Sequence, residues 1–230
     1  MKISVHQPNF FPWPGFFYKM LKSDTFVFLD HVQFTSRSYI NRVKILVQKK
    51  PMWITIPITK NKKPINFCKI SNFNNWKKKI ISTIYHNYSK SPKFSLYFDE
   101  ISDLINLEEE SLCKFNFNII NYFVKKLEIE TILKKSSNVL DLMDNCNCKG
   151  SNMIVDICKK LKAHTYLSGD GSFQYDDKTI YKSNNLRYEL INYEQKEYPQ
   201  FNCKEFYPGL SILDLLFNIG FEELKKYLRN

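Results

Sequence analysis

The run Ile3-Ser4-Val5-His6-Gln7-Pro8, then Pro12-Trp13-Pro14-Gly15-Phe16, then Phe26-Val27-Phe28-Leu29-Asp30-His31-Val32-Gln33-Phe34, decides the fold. Two short apolar runs each stop at a polar cluster: His6-Gln7 after the first, Asp30-His31 with Gln33 after the second. Between them, Pro14 with Gly15 suits a helix start, because the first turn has no use for the N–H that proline lacks. Phe16, Phe17, Met20 and Leu21 follow at helical spacing. Strand, loop, helix and strand in about thirty residues make one βαβ unit. The expectation is an α/β fold with a mainly parallel sheet flanked by helices. Parallel strands that deliver imidazole, amide and carboxylate groups at their ends build a cleft there.

Outward from this start, residues 43–47 and 53–58 read as strands paired through Lys49-Lys50-Pro51. Trp76, Ile80, Ile84 and Tyr88 recur every four residues, which predicts a helix over 73–88. Residues 92–106 and 108–127 keep the helical period, and Glu108-Glu109-Glu110 suits the positive end of a first turn. Residues 73–127 therefore read as a helical insert within a single domain of 1–230. Thr131 to Leu133 and Val139 to Leu140 carry short strand signals. Ser151 is placed to cap a helix bearing Met153, Ile154, Ile157, Cys158 and Leu161 on one face. Thr165-Tyr166-Leu167 is a strand running straight into Ser168-Gly169-Asp170-Gly171-Ser172. Ser211 with Asp214 three residues on has the form of a capping box. Gly220 ends that helix, and 222–228 form a last amphipathic one.

Six cysteines are scattered, and Cys146-Asn147-Cys148 is too tight for a zinc knuckle, so no metal site is expected. No segment reads as a membrane span or a signal peptide, and the expectation is a cytoplasmic protein. The formal charge of +11 suits an anionic partner such as a nucleic acid, a nucleotide or a membrane surface. However, the lysines are spread along the whole chain and accompany much Asn, Ile, Phe and Tyr with only 6 glycines. That is the bias of an AT-rich genome, and composition explains the charge better than a dedicated surface does. A small anionic ligand agrees with either account.

His6, Asp30 and His31 are the candidate catalytic groups, suited to acid–base work or to orienting a nucleophile. A lone strand-end histidine or a rim ion pair can equally be structural. The helix start behind His6 also favours an anion. Gln7, Gln33 and Asn41 offer amides for binding, and Arg42 a planar fork for phosphate or carboxylate. The turn with Ser168, Gly169 and Gly171 can present backbone N–H groups to a phosphate or carboxylate. Tyr175, close behind that turn, can supply a hydroxyl, and Tyr198, Gln200 and Ser211 to Asp214 are candidates for the far wall. There is no Gly-x-Ser-x-Gly elbow and no obvious carboxylate pair, so the common hydrolase classes lack support.

Together, His6-Gln7-Pro8, Pro12-Trp13-Pro14-Gly15-Phe16-Phe17, Phe28-Leu29-Asp30-His31-Val32-Gln33-Phe34 and Asn41-Arg42-Val43-Lys44-Ile45 resemble the opening of WbqC-like proteins. So do the later blocks Thr165-Tyr166-Leu167-Ser168-Gly169, Tyr198-Pro199-Gln200-Phe201 and Leu210 to Gly220. One departure is Lys162-Ala163, where the family tends to have a glycine before the strand. The resemblance implies a bacterial surface polysaccharide (O-antigen) role. It suggests an enzyme that moves an amino-acid-derived acyl group, such as glycyl, onto the amine of a nucleotide-linked amino sugar. ATP with magnesium is the candidate cofactor, and an aminoacyl-tRNA is a possible donor. The opening also resembles nucleotidylyltransferase-like folds, although their paired His-x-Gly-His signature is missing. An adenylate-forming or nucleotidyl-transferring enzyme and a non-catalytic sugar-nucleotide-binding protein are the alternatives.

Overall fold

The computed structural model describes residues 1–230 apart from 60–62, 141–148, 170, 172–175 and 202. Its first elements are β1 (Lys2–His6), α1 (Pro14–Leu21), β2 (Thr25–Phe28), β3 (Arg42–Val47), β4 (Lys50–Thr55), α2 (Trp76–Tyr88), α3 (Phe94–Asn106) and α4 (Leu112–Lys126). There follow β5 (Ile132–Lys135), α5 (Ser136–Val139), α6 (Ser151–Lys160), β6 (Thr165–Ser168), α7 (Lys178–Ser183), β7 (Arg187–Leu190) and α8 (Ile212–Arg229). Two compact units result. The first comprises Met1–Gln7, Tyr18–Val32 and Ile129–Glu194; the second comprises Pro8–Phe17, Gln33–Glu128 and Gln195–Asn230.

The first unit holds a five-stranded sheet in the order β5-β2-β1-β6-β7, with every pairing parallel. The expected α/β fold with a mainly parallel sheet is therefore present. The chain passes from β1 to β2 on one side and later places β6 on the other, so the strand order reverses between β1 and β6. Such a reversal opens a crevice at the C-terminal strand ends. Ile3, Val5, Val27 and Tyr166 form one core with Ile154, Ile157 and Cys158 of α6 and Tyr181 of α7. Burying each such side chain contributes about 1.5–3 kcal/mol, so the apolar face of α6 holds it on the sheet.

The second unit contains the antiparallel hairpin β3–β4, helices α2 to α4, and α8. Rings join these elements: Tyr88 lies 5.4 Å and Phe94 5.1 Å from Phe217. Asn116, fully buried in α4, donates to the carbonyls of Pro8 and Ile40 at 2.9 and 2.7 Å. Helices α2 and α3 lie close to their expected spans, but α4 starts at Leu112 behind the Ser111 cap, so Glu108, Glu109 and Glu110 precede it and do not form its first turn. Among the described residues, no helix is long and apolar enough to cross a membrane.

Several local expectations are corrected. The hairpin turns at Gln48 and Lys49, both at positive φ (50° and 63°), so β4 starts at Lys50 and takes in Pro51. Two left-handed residues match the twist of paired strands, and this outweighs the turn preference of proline. Val139 belongs to the short helix α5, not to a strand. Strand β7 carried no signal strong enough to be expected, because Arg187-Tyr188-Glu189-Leu190 is half polar at a sheet edge. The Ser151 hydroxyl does not cap α6; it accepts from the Asp177 N–H at 2.8 Å. Ser211 does cap α8, accepting from the Leu213 N–H. Gly220 breaks α8 at φ 78°, ψ 172°, a conformation open mainly to glycine. Cys146 and Cys148 lie outside the described residues.

Candidate functional site

At the strand reversal, the ends of β1 and β6 border an open cavity of ≈ 560 Å³. His6, Gln7, Gly169 and Gly171 line it, together with Lys19 and Asp176, which sequence reasoning did not single out. The observed register pairs Ser4 with Leu167, and His6 and Gly169, each two residues further on, both line the cavity. The sheet thus joins the first strand end to the late glycine turn.

His6 is partly accessible, and its Nδ1 donates to the Gln7 carbonyl at 2.9 Å. Burial first, and then the Lys19 charge, push its pKa down to about 4, against the Gln7 hydrogen bond, which raises it. At neutral pH the ring is uncharged. With Nδ1 carrying the proton, the lone pair is on Nε2. His6 is thus an acceptor for an N–H or O–H, and the positive charge of the cavity comes from Lys19.

Lys19 lies on α1 and is only 4 % exposed. Its ammonium donates to the Val5 carbonyl at 3.0 Å, at the end of β1. A Cβ added at Gly169 would stand 3.5 Å from Lys19 Nζ, so a side chain longer than alanine would compete with the ammonium for space. The sequence signal was there: Lys19 falls three residues after Phe16, inside the apolar stripe of α1. Asp176 accepts hydroxyl hydrogen bonds from Ser168, from Tyr181 at 2.7 Å and from Tyr188 at 3.2 Å. Ser168 is fully buried beneath the turn. The neighbouring Asp177 caps α7, so only one of the two adjacent aspartates serves the cavity. Tyr175 lies outside the described residues.

Asp30 and His31 do not line this cavity. Asp30 is buried, and its carboxylate accepts from the Ser136 hydroxyl (2.9 Å), the Ser137 N–H (2.9 Å) and the Ser137 hydroxyl (2.6 Å). It thereby caps α5, whose own preceding residue, Lys135, makes no side-chain cap. His31 Nδ1 meets Ser136 Oγ at 2.6 Å. Serine, histidine and aspartate are all present, but the Ser136 proton goes to Asp30 and the hydroxyl is fully buried. A nucleophilic triad needs the serine to give its proton to the histidine. Burial lowers the His31 pKa, and the Asp30 charge partly offsets this.

The remaining candidates belong to the second unit. Gln33 and Asn41 share an open groove of ≈ 890 Å³. Gln33 donates to the Lys63 carbonyl, and Asn41 Nδ2 donates to the Ile56 carbonyl at 3.0 Å. The Arg42 guanidinium stacks 4.0 Å above the Trp53 ring, a cation–π contact that engages the fork. Gln200 spends its amide on Tyr198 and on both backbone groups of Tyr207. Asp214 is fully buried and accepts from the hydroxyls of Tyr88 (2.8 Å) and Tyr198 (2.6 Å). Burial raises its pKa to about 6 despite those hydrogen bonds.

Among the described residues, no three His, Cys, Asp or Glu side chains gather to hold a metal. Magnesium on ATP asks for one or two carboxylates beside the phosphates, and in this cavity Asp176 is the residue that could meet it.

The first unit is thus a five-stranded parallel α/β unit with a glycine-bordered cavity at its strand reversal. The chain belongs to the WbqC-like protein family, whose model matches residues 7–226. It is similar to the uncharacterized protein Rv1507c of Mycobacterium tuberculosis, 30% identical over 234 residues that cover 99% of this chain and 97% of that protein. No solved structure matches it.

Proposed function

We propose that the protein is an enzyme of bacterial surface polysaccharide (O-antigen) biosynthesis. It transfers an amino-acid-derived acyl group, such as glycyl, from an activated acyl phosphate (a mixed anhydride) to the amine of a nucleotide-linked amino sugar. The observation that carries this reading is that His6 and the buried Lys19 ammonium line one cavity at the strand reversal. The sugar amine attacks the acyl carbon, a C–N bond forms, and the acyl C–O bond breaks with its electron pair leaving on the phosphate. The proton shed by nitrogen moves toward His6 Nε2, and Lys19 with the backbone of Gly169 and of Gly171 holds the phosphate. Holding both reactants in place can supply a large part of such a rate. ATP would activate the amino-acid carboxylate, which attacks its α-phosphorus and expels pyrophosphate to give that acyl phosphate, and no protein-side step depends on its magnesium.

The strand order and a cavity of nucleotide size favour a second reading, nucleotidyl transfer within the same pathway. The test is incubation of the full chain with UDP- or dTDP-linked amino sugars, glycine and ATP, or with glycyl-tRNA, followed by mass spectrometry. An added acyl mass on the sugar supports acyl transfer. Pyrophosphate release without an amide supports the second reading. Absence of both with every amino sugar removes each.

A further inference from the structure

The second unit contains another cavity, of ≈ 220 Å³, between the β3–β4 turn, the end of α2 and the start of α8. It is smaller than the roughly 300–1,000 Å³ of pockets that enclose drug-sized ligands, so its occupant has only a handful of heavy atoms. Its charges are graded with depth. Lys49, His86 and Lys90 line it and are exposed, while Tyr88, Ser91 and Asp214 line it and are buried.

Two buried groups mark the inner end as made for a ligand. Asp214 is fully buried, with no protein cation among its hydrogen-bond partners. A carboxylate offers about four acceptor positions; the two tyrosines take one on each oxygen and the Gln200 side chain takes a further one. Ser91 is 6 % exposed, and among the described residues its hydroxyl has no hydrogen-bond partner. A buried polar group left without a partner costs roughly 1–3 kcal/mol, which a ligand donor or acceptor would recover.

The inner carboxylate repels a plain anion, and the basic mouth repels a plain cation. We infer that this cavity binds a small zwitterion of the α-amino-acid class. Its ammonium sits inward against Asp214 and Ser91, and its carboxylate faces Lys49, Lys90 and His86. Burial that lifts the Asp214 pKa is relieved when a cation arrives beside it. The site is argued from the second unit alone, and it does not rest on the acyl-transfer reading of the first.

Isothermal titration and NMR chemical-shift mapping on the full chain test it, with glycine and alanine against glycinamide, acetate, methylamine and inorganic phosphate. Glycine or alanine is expected to bind at least tenfold more tightly than any of the four controls. Ser91→Ala should weaken glycine binding several-fold through the ammonium end, and a Lys49→Gln/Lys90→Gln double variant through the carboxylate end. Neither variant touches the Tyr88–Asp214–Tyr198 hydrogen bonds, and a circular dichroism melt confirms that each is folded. No binding of either amino acid, equal binding of acetate, methylamine or phosphate, or affinity unchanged in both variants would overturn the assignment. Because binding is read without turnover, its failure is distinct from failure of the transfer reaction.

Discussion

At the scale of single residues, the site depends on which group carries charge. His6 stays neutral because burial and the Lys19 ammonium both oppose its protonation. Lys19→Met keeps the length of the side chain and removes the charge. NMR titration of that variant should show the His6 pKa rising above about 4 while staying below its ordinary 6.5, since burial, the larger cause, remains. An unmoved titration would refute the coupling. In the transfer assay the same variant should lose at least about tenfold in turnover, the effect of removing one preorganised charge contact. Lys162 is a residue of another kind. It is exposed, and it holds φ 54°, the left-handed region that glycine adopts without strain. Lys162→Gly should raise stability in urea denaturation by up to about 1 kcal/mol. A loss would mean that the lysine makes a contact worth more than its strain.

At the scale of elements, two joints are exposed to single changes. Asp30 caps α5 from another strand end, so Asp30→Ala leaves the Ser137 N–H and two hydroxyls without their acceptor. The cost should be about 1–3 kcal/mol. Loss of activity in step with loss of stability, recovered at lower temperature, would mark a structural aspartate; full stability with no turnover would mark a chemical one. In α8, a Cβ at Gly220 would meet Tyr97 Oη at 3.2 Å on backbone that L-residues avoid. Gly220→Ala should therefore lower the unfolding midpoint by more than an ordinary helix substitution does, by about 2 kcal/mol or more. A neutral result would show that the two halves of α8 can straighten.

At the scale of the whole molecule, the partly accessible His6 and the buried Asp214 pull acid stability in opposite directions. The His6 pKa is about 4 when folded and 6.5 when free. Between those values the unfolded chain binds more protons, so this contribution is lost as pH falls from 6.5 toward 4. The Asp214 pKa is about 6 when folded and 3.8 when free. There the folded chain binds more protons, so stability falls as pH rises from 3.8 to 6. Between pH 4 and 6 the two slopes oppose each other. Urea denaturation across that range should give a steeper rise with pH in Asp214→Asn than in the parent, and a flatter or falling profile in His6→Asn. Parallel curves for all three would show that neither group titrates as its surroundings dictate.

From local chemistry alone, the first thirty residues already specified strand, proline-led helix and strand, and with them a parallel α/β sheet. Periodicity likewise placed the middle helices and the Gly220 break, because helix spacing and glycine backbone freedom act within a few residues. The family was legible for the same reason, in short blocks of contiguous side chains. Partnership was not legible. Asp30 turned out to serve α5, Arg42 lies on Trp53, and Gln200 is consumed by Tyr207. Meanwhile Lys19, hidden in an apolar helix stripe, reached the end of β1. Which polar groups keep donors and acceptors for a ligand depends on what lies next to them in space, up to a hundred residues away in the chain. Only the packed sheet and its strand order decide that.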